Sequence, residues 1–244
     1  MFICMPTLRL DKIVAGIANY SRSEATAVIK QGRVAVGGVT ALSGTAKIDP
    51  ETEPVTIDGA LVKYRRYCYL MMNKPGGYVS STRDDRDRTV MELLDDKYRD
   101  IGLFPAGRLD KDAEGLLILT NDGDFAHMLT SPSKRVGKKY FVQIDDSISV
   151  SDIEAFTTGI SLADGTKCLP AKLENTPEGV YVTLFEGKYH QVKRMMAAIG
   201  KPVKHLKRVA IGGLTLDDSL KPGDYCEIDG EILHDSLISN KRVK

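Results

Sequence analysis

A polar loop near the middle of the chain gathers the residue types that do acid–base chemistry. Arg108, Asp110, Asp112 and Glu114 follow one another at short spacing and directly precede the apolar run Leu116–Leu119. Polar loops held by rigid elements are favoured positions for catalytic groups. The spacing is compatible with a catalytic carboxylate, with a cation site, or with surface acids that pair with neighbouring bases.

The same acids begin like the calcium loop of an EF-hand, with carboxylates at alternate positions and a glycine after the third. The ligand positions that should follow fall on the hydrophobic run Leu116–Leu119, and Asn121 replaces the closing bidentate glutamate. Calcium is therefore not expected. Magnesium held by Asp110 and Asp112 stays compatible with the sequence but has no supporting motif.

A second chemical feature is a long segment without acids. Between Gly187 and Leu216 there is no Asp or Glu, whereas the whole chain has 34 Lys and Arg against 33 Asp and Glu. Its basic residues are Lys188, Lys193, Arg194, Lys201, Lys204, Lys207 and Arg208. Such a local excess indicates a nucleic-acid surface or a solvated face. His190, in the same segment, is either a hydrogen-bonded structural residue or a general base.

Several common catalytic signatures are absent. The chain has no HExxH, no nucleophile elbow, no GxGxxG and no GxxxxGK[ST] loop, which removes the usual signatures of zinc hydrolases, serine hydrolases and nucleotide cofactors. Cys4, Cys68, Cys168 and Cys226 are widely spaced and predict reduced thiols. The start lacks a leader pattern, and no apolar run reaches membrane-spanning length. The sequence predicts a soluble cytoplasmic protein that uses no metal, nucleotide or other cofactor.

Residues 1–62 are predicted to form a small helix-helix-hairpin module. Apolar residues recur at helical spacing over Leu10–Ile17, and the capping box Ser21–Glu24 begins a second helix that Gly32 ends. Alternating valines and isoleucines then predict short strands joined by glycine turns. Basic residues outnumber acids between residues 7 and 66, and they include Arg9, Lys12, Arg22 and Arg33. These residues form either solvated faces or a phosphate-binding platform.

A second domain is predicted over residues 67–236, followed by a basic tail at 237–244. Strands are predicted at Cys68–Met72, Leu116–Leu119, Tyr140–Ile144 and Val180–Leu184. A capping box at Ser151–Glu154 and an apolar stripe over Val192–Ile199 predict helices between them. Because strands and helices alternate irregularly and several strands have a period of two, the sequence predicts an α+β fold with a mixed, largely antiparallel sheet flanked by helices.

These motifs occur in an order that resembles the pseudouridine synthases of the RsuA type. The segments that carry the resemblance are Gly107–Asp110 with Glu114–Gly123, Lys139–Tyr140, Glu186–Met195, Asn73–Pro75 and Ile211–Leu214. They resemble the family's active-site signature, its tyrosine motif, its basic third motif and two further motifs. The first 60 or so residues resemble the RNA-binding module named after ribosomal protein S-four, which commonly precedes this catalytic domain. The match covers nearly the whole chain.

The resemblance implies that the protein converts uridine to pseudouridine in RNA, a reaction that breaks the N1 to C1′ bond and rejoins the uracil through C5. It makes Asp110 the ionised catalytic carboxylate, either as nucleophile or by starting deprotonation of the sugar. Lys193 matches the family's basic position and would orient Asp110 through a charge-assisted hydrogen bond. Tyr140 would stack on the flipped uracil and help remove the C5 proton, or would be only a core aromatic of its strand.

The resemblance implies that the partner is ribosomal RNA or a partly assembled ribosomal subunit. Nothing in the sequence requires more than a monomer. Arg108 would fill the gap in the RNA stack or hold a phosphate, and Lys74, Lys188 and Arg194 would contact RNA together with the basic residues of the module. Lys193 followed by Arg194 resembles the version that acts on small-subunit RNA. The alternatives are the same reaction on large-subunit RNA and a non-catalytic RNA-binding assembly factor.

Overall fold

The structure is a computed structural model that describes residues 7–17, 20–50, 52–62, 64, 67–98 and 101–238. Cys4 and positions 239–244 of the predicted tail lie outside this part of the chain. The chain divides into two compact units, residues 1–66 with 95–102 and residues 67–94 with 103–244. Among the described residues, no helix has the length and apolar character needed to cross a membrane.

The first unit contains the two predicted helices and a small sheet. In chain order its elements are β1 (Leu8–Arg9), α1 (Leu10–Ile17), α2 (Arg22–Lys30), β2 (Val34–Val36), β3 (Val39–Thr40), β4 (Lys47–Ile48), β5 (Val55–Ile57) and β6 (Ala60–Val62). Four strands form an antiparallel sheet in the order β3-β2-β5-β6, and β1 pairs with β4. The predicted capping box is confirmed, because the amides of Glu24 and Ser21 donate to each other's side chains.

A single apolar cluster holds this unit together. Leu10, Ile13 and Val14 of α1 pack with Ile29 of α2 and Val34 of β2, and all five are buried. The four helical residues of this set are positions that the helical periodicity assigned to the core, so the predicted amphipathic stripes are confirmed there. Burial of each such side chain contributes roughly 1.5–3 kcal/mol to the free energy of folding. Because the apolar stripes face the cluster, the charged faces of the helices point toward solvent.

The second unit is built on one large sheet. Its strands are β7 (Tyr69–Lys74), β8 (Phe104–Pro105), β9 (Glu114–Thr120), β10 (Lys138–Gln143), β11 (Lys172–Thr176), β12 (Gly179–Leu184), β13 (His205–Ile211), β14 (Leu214–Thr215) and β15 (Tyr225–Glu227). Their order is β11-β12-β10-β13-β9-β7-β15, with β14 on β13 and β8 on β9. Among the described strands only β9 and β13 pair in parallel, which confirms the predicted mixed, largely antiparallel α+β fold.

Helices cover the sheet and bury its central strands. They are α3 (Gly123–Thr130), α4 (Val150–Thr158), α5 (Gln191–Ala198) and α6 (Gly230–Ile238). Every residue of β7 is buried, as expected of a strand that is covered on both faces. On one face Tyr69 and Met71 pack with Phe125 of α3 and with Leu233 and Leu237 of α6. Leu237 therefore belongs to the core, and the predicted tail does not begin there.

One helix begins earlier than predicted. The capping box was expected at Ser151–Glu154, but the N-cap of α4 is Ser149, whose side chain accepts a hydrogen bond from the amide of Asp152 at 3.2 Å. The amide of Ser149 in turn donates to Asp152 at 2.8 Å. The stretch has serines at both positions, and the fold selects the one that lets Phe156 reach the core.

Candidate active site

Asp110 lies in the loop 108–113, which enters the buried central strand β9. The side chain of Lys74, at the end of β7, is fully buried and donates to the carbonyl oxygens of Ala113 at 2.7 Å, Pro75 at 3.0 Å and Lys111 at 3.3 Å. The predicted RNA contact by Lys74 does not fit this position, because the ammonium is enclosed by its own chain. Burial lowers the pKa of Lys74 to about 8, and the carboxylates of Asp112 and Glu114 oppose that shift.

Two further buried side chains hold the other half of the loop. Ser80 Oγ donates to the carbonyl of Leu109 and accepts from its amide, both at 3.1 Å. Arg208 of β13, 2% exposed, donates from Nη1 to the carbonyl of Arg108 at 3.2 Å and from Nε to that of Leu116 at 2.7 Å. The backbone on both sides of Asp110 is therefore fixed by side chains from β7, β13 and the segment after β7.

A glycine permits the close approach that this arrangement needs. Gly115 has φ +100, and a Cβ atom there would lie 2.2 Å from the carbonyl oxygen of Arg208. The two residues are register partners in the parallel pair of β9 and β13. Only glycine accommodates both the backbone conformation and the contact, so Gly115 allows β13 to approach the end of the loop that carries Asp110.

The carboxylate of Asp110 faces two side chains from the start of α5. His190 Nε2 lies 3.6 Å from Oδ1, and Lys193 Nζ lies 3.8 Å from Oδ2. Lys193 instead makes its hydrogen bonds to Asp112, at 2.5 and 2.7 Å, and this bond lowers the pKa of the Asp112 carboxyl. The expected hydrogen bond from Lys193 to Asp110 is thus replaced by an ion pair at longer range. The side chain of Asp110 remains 26% exposed.

A buried glutamine shapes the turn that presents His190. Gln191, 4% exposed, accepts from the amide of Lys188 at 2.8 Å and donates to Glu186 at 2.6 Å. His190 then adopts φ 47, in the left-handed region, immediately before α5. Non-glycine residues in this conformation cluster at functional sites. The predicted helix from this segment is confirmed, and its apolar stripe (Val192, Met195, Met196) is buried.

Tyr140 lies on the strand beside β13. It is 8% exposed, and its Cα pairs with that of Arg208, which in turn pairs with Gly115. The three residues form one row across the sheet, at the end of β9 that follows the Asp110 loop. This burial fits either predicted role, a wall of the uracil site or a core aromatic.

The other predicted RNA-binding residues occupy different surroundings. Arg108 is exposed at the start of the loop that carries Asp110, and four basic residues are exposed in the first unit, namely Arg9, Lys12, Arg22 and Arg33. Arg9 pairs with Asp11 and Arg33 with Asp58, both at 2.5 Å. Lys188 donates to Glu186 at 2.6 Å, and Arg194 pairs with Asp164. These last two cations hold the turn before α5 in addition to any contact with RNA.

Sequence reasoning missed the residues that hold the loop. Ser80 and Arg208 were not assigned to the site, although Arg208 was noted within the acid-free segment. No short-range pattern marks them, because their partners are 29 and 100 residues away in sequence. His190 was noted, but its approach to Asp110 depends on how α5 meets the loop.

The loop acids have protein partners in this arrangement. Lys193 binds Asp112, and Glu114 bonds to His205 at 3.0 Å. Within the described ranges no group of three or more His, Cys, Asp or Glu side chains is placed to hold a metal ion. Cys168 and Cys226 form no disulfide, and burial raises the pKa of both thiols.

Comparison with known proteins identifies the family of the chain. The sequence profile of the RNA pseudouridylate synthase family matches residues 68–198, a range that contains Asp110, Tyr140 and Lys193. An uncharacterized RNA pseudouridine synthase of Bacillus subtilis (strain 168) is 47% identical over 234 residues, covering 93% of this chain and 97% of the relative. The chain belongs to the RNA pseudouridylate synthase family. It is therefore an RNA pseudouridine synthase, an isomerase that acts on uridine in RNA.

Other members of the family extend the similarity across both units. The ribosomal small subunit pseudouridine synthase A of Escherichia coli (strain K12) is 41% identical over 222 residues, covering 89% of this chain and 95% of the relative. A crystal structure of a pseudouridylate synthase, 36% identical, superposes with a TM-score of 0.65 and covers 95% of this chain and 100% of that chain. The predicted fold and enzyme class are confirmed by these matches.

Proposed function

We propose that this pseudouridine synthase isomerises a specific uridine of small-subunit ribosomal RNA, with Asp110 as the catalytic carboxylate. The observation that carries the catalytic assignment is the position of Asp110, which is partly exposed, flanked by His190 and Lys193, and located on a loop held by three buried side chains. The choice of RNA rests on relatives that are named small-subunit enzymes at 41–42% identity over most of the chain.

The reaction needs few groups, because no atom is gained or lost. The N1 to C1′ bond breaks, the uracil turns, C5 bonds to C1′, the C5 proton leaves and N1 is protonated. Asp110 acts either by attack on the sugar or by removing a sugar proton, and both roles require the carboxylate form. Lys193 supplies positive charge 3.8 Å away. Tyr140 stacks on the flipped uracil and assists loss of the C5 proton.

RNA binding supplies the free energy for base flipping. Extrusion of a base costs a few kcal/mol, and phosphate contacts by cations offset it without reading sequence. We assign these contacts to Arg9, Lys12, Arg22 and Arg33, which belong to the predicted RNA-binding module at residues 1–62. Arg108, exposed next to Asp110, fills the gap that the flipped nucleotide leaves in the stack.

The test is a site-resolved map of pseudouridine in both ribosomal RNAs from a strain that lacks the gene, complemented with the native chain or with Asp110→Ala. Loss of one small-subunit pseudouridine, restored only by the native chain, supports the proposal. Loss of a large-subunit site assigns the alternative substrate. Restoration by Asp110→Ala removes the catalytic assignment, and Asp110→Ala should bind the RNA with nearly unchanged affinity.

We also propose that the enzyme acts as a monomer in the cytoplasm and without a cofactor. Purified protein that is dialysed against EDTA should convert a ribosomal RNA transcript or an assembly intermediate at the rate of untreated protein. Light scattering should give a mass near 26.8 kDa. A rate that depends on added metal, or a dimer mass, contradicts the corresponding part of the proposal.

A further inference from the structure

An exposed aromatic ring stands next to the catalytic carboxylate and has no role in the chemistry described above. Tyr189 is 70% exposed, although aromatic rings carry large apolar surfaces that are usually covered. It directly precedes His190, whose Nε2 lies 3.6 Å from Asp110. A ring left open at the edge of an active site is a candidate contact for the substrate.

The ring is held in one orientation. Tyr189 stacks on the imidazole of His190, with centroids 3.8 Å apart and planes 18° apart. Arg194, one turn into α5, donates to the carbonyl of Tyr189 at 3.4 Å, and the left-handed conformation of His190 fixes the turn. One face of the phenol is therefore covered by His190 while the side chain stays largely open to solvent. A preorganised ring loses little entropy when a ligand binds.

The charge around the ring suits RNA. Lys188, Lys193 and Arg194 lie within five residues of it in sequence, with 33%, 25% and 28% of their side chains exposed. Each cation also pairs with an acid, namely Glu186, Asp112 and Asp164 in turn, and keeps part of its surface open to a phosphate. Unpaired bases in RNA commonly stack on aromatic side chains, beside cations that track the backbone. This combination of an open ring and flanking cations matches a stretch of unpaired RNA better than it matches an apolar protein segment.

We propose that Tyr189 is a stacking platform for an unpaired base that neighbours the target uridine. A base on the outer face of Tyr189 is one ring further out than the imidazole of His190, which contacts Asp110 through Nε2, so we assign it to an adjacent nucleotide and not to the one being isomerised. The inference rests on the proposed function, because it presupposes that the target sugar lies at Asp110. It adds a second nucleotide subsite, which selects RNA with an accessible base beside the target.

The experiment measures the affinity of the full chain for a synthetic RNA that contains the mapped uridine. All proteins carry Asp110→Asn to prevent turnover, and the variants are Tyr189→Ala, Tyr189→Phe and, as a matched control, Val150→Ala, which removes another exposed side chain (73%) of the same unit. Tyr189→Ala should weaken binding about tenfold, while the phenylalanine variant and the control should bind like the parent.

A second set of RNAs identifies the stacked base. Each carries one abasic nucleotide at a position beside the target. For one of these RNAs, the affinity of the parent protein should fall about tenfold. The Tyr189→Ala variant should bind that RNA no more weakly than the parent does, because the stacking contact is already absent. The inference is overturned if the two losses multiply at every position, if Tyr189→Ala binds normally, or if that variant slows only the chemical step of the otherwise native enzyme.

Failure of the proposed function gives a different result. If Asp110→Asn still forms pseudouridine, the catalytic assignment is wrong. The coupling between Tyr189 and a flanking base is measured from binding affinities, so it is tested independently of the catalytic assignment.

Discussion

Arg208 donates from Nη1 to the carbonyl oxygen of Arg108 at 3.2 Å, two residues before Asp110, the proposed catalytic carboxylate. The bond joins β13 to the loop that Lys74 and Ser80 hold from the other side. Buried charged groups of this kind are costly unless their hydrogen bonds are made, and Nη2 of Arg208 is buried without a partner among the described residues. The position of Asp110 thus depends on side chains that are buried beneath the loop.

Replacement of Arg208 should damage both stability and rate. Arg208→Met leaves two buried carbonyls without donors, which costs about 1–3 kcal/mol, and a misplaced loop should lower kcat about 100-fold with little change in KM. Urea unfolding and single-turnover pseudouridine formation measure the two effects. Arg83→Met, whose side chain is 89% exposed, is the control. A variant with native kcat would show that Arg208 does not position the loop.

Gly115 should tolerate no side chain. A Cβ would meet the backbone of Arg208 at 2.2 Å, with φ +100, so we expect Gly115→Ala to lose about 2 kcal/mol or more of unfolding free energy and most activity. Gly123 has open space at its Cβ position, and Gly123→Ala should be neutral in the same thermal and kinetic assays. Equal behaviour of the two variants would contradict the close approach of β9 and β13.

Replacement of Lys193 should lower kcat much more than replacement of Asp112, although the two side chains are hydrogen-bonded to each other. Lys193→Met removes the cation beside Asp110 and should lower kcat about 10- to 100-fold. Asp112 is 74% exposed, so Asp112→Ala should change kcat less than about threefold, since it leaves the ammonium free to approach Asp110. Single-turnover rates decide the matter. If Asp112→Ala is as slow as Lys193→Met, the pair acts as one unit.

The buried ammonium of Lys74 predicts a specific pH dependence of stability. Its pKa in the folded chain is about 8, below its usual 10.5, so the unfolded chain binds the proton more tightly. The cost of burying the charge is fully present below about pH 8 and disappears as the pH rises toward 10.5. The free energy of unfolding of the native chain, measured against Lys74→Met, should therefore rise by about 1–3 kcal/mol between pH 8 and 10.5. A flat or falling difference would contradict this.

Binding of RNA by the first unit should show in its salt dependence. Lys12→Ala and Arg22→Ala should each reduce the slope of log affinity against log salt by about 1, without lowering kcat at saturating RNA. Arg83→Ala removes an equally exposed cation of the second unit and is the control. Unchanged slopes for both variants would show that these basic residues do not contact RNA phosphates and belong to solvated helix faces.

The sequence by itself determined the elements and the family. Leu10, Ile13 and Val14 repeat at helical spacing, Ser21 and Glu24 form a capping box, and the apolar run of β7 predicts a buried strand. These are local signals, because each depends on neighbours within a few positions. Asp110, Tyr140 and Lys193 were selected through ordered motifs, which lie within the range that the family profile matches, and their roles stay predictions.

Only the tertiary structure decided what surrounds Asp110. Spacing does not reveal that Lys74 is enclosed by three carbonyls, that Lys193 bonds to Asp112, or that Arg208 reaches Arg108 across 100 residues of sequence. The first contact depends on the pairing of β7 with β9, the second on the placement of α5, and the third on the parallel approach of β13 to β9. Such long-range pairings are set by the packing of the whole sheet, and they produce no periodic pattern in the local sequence.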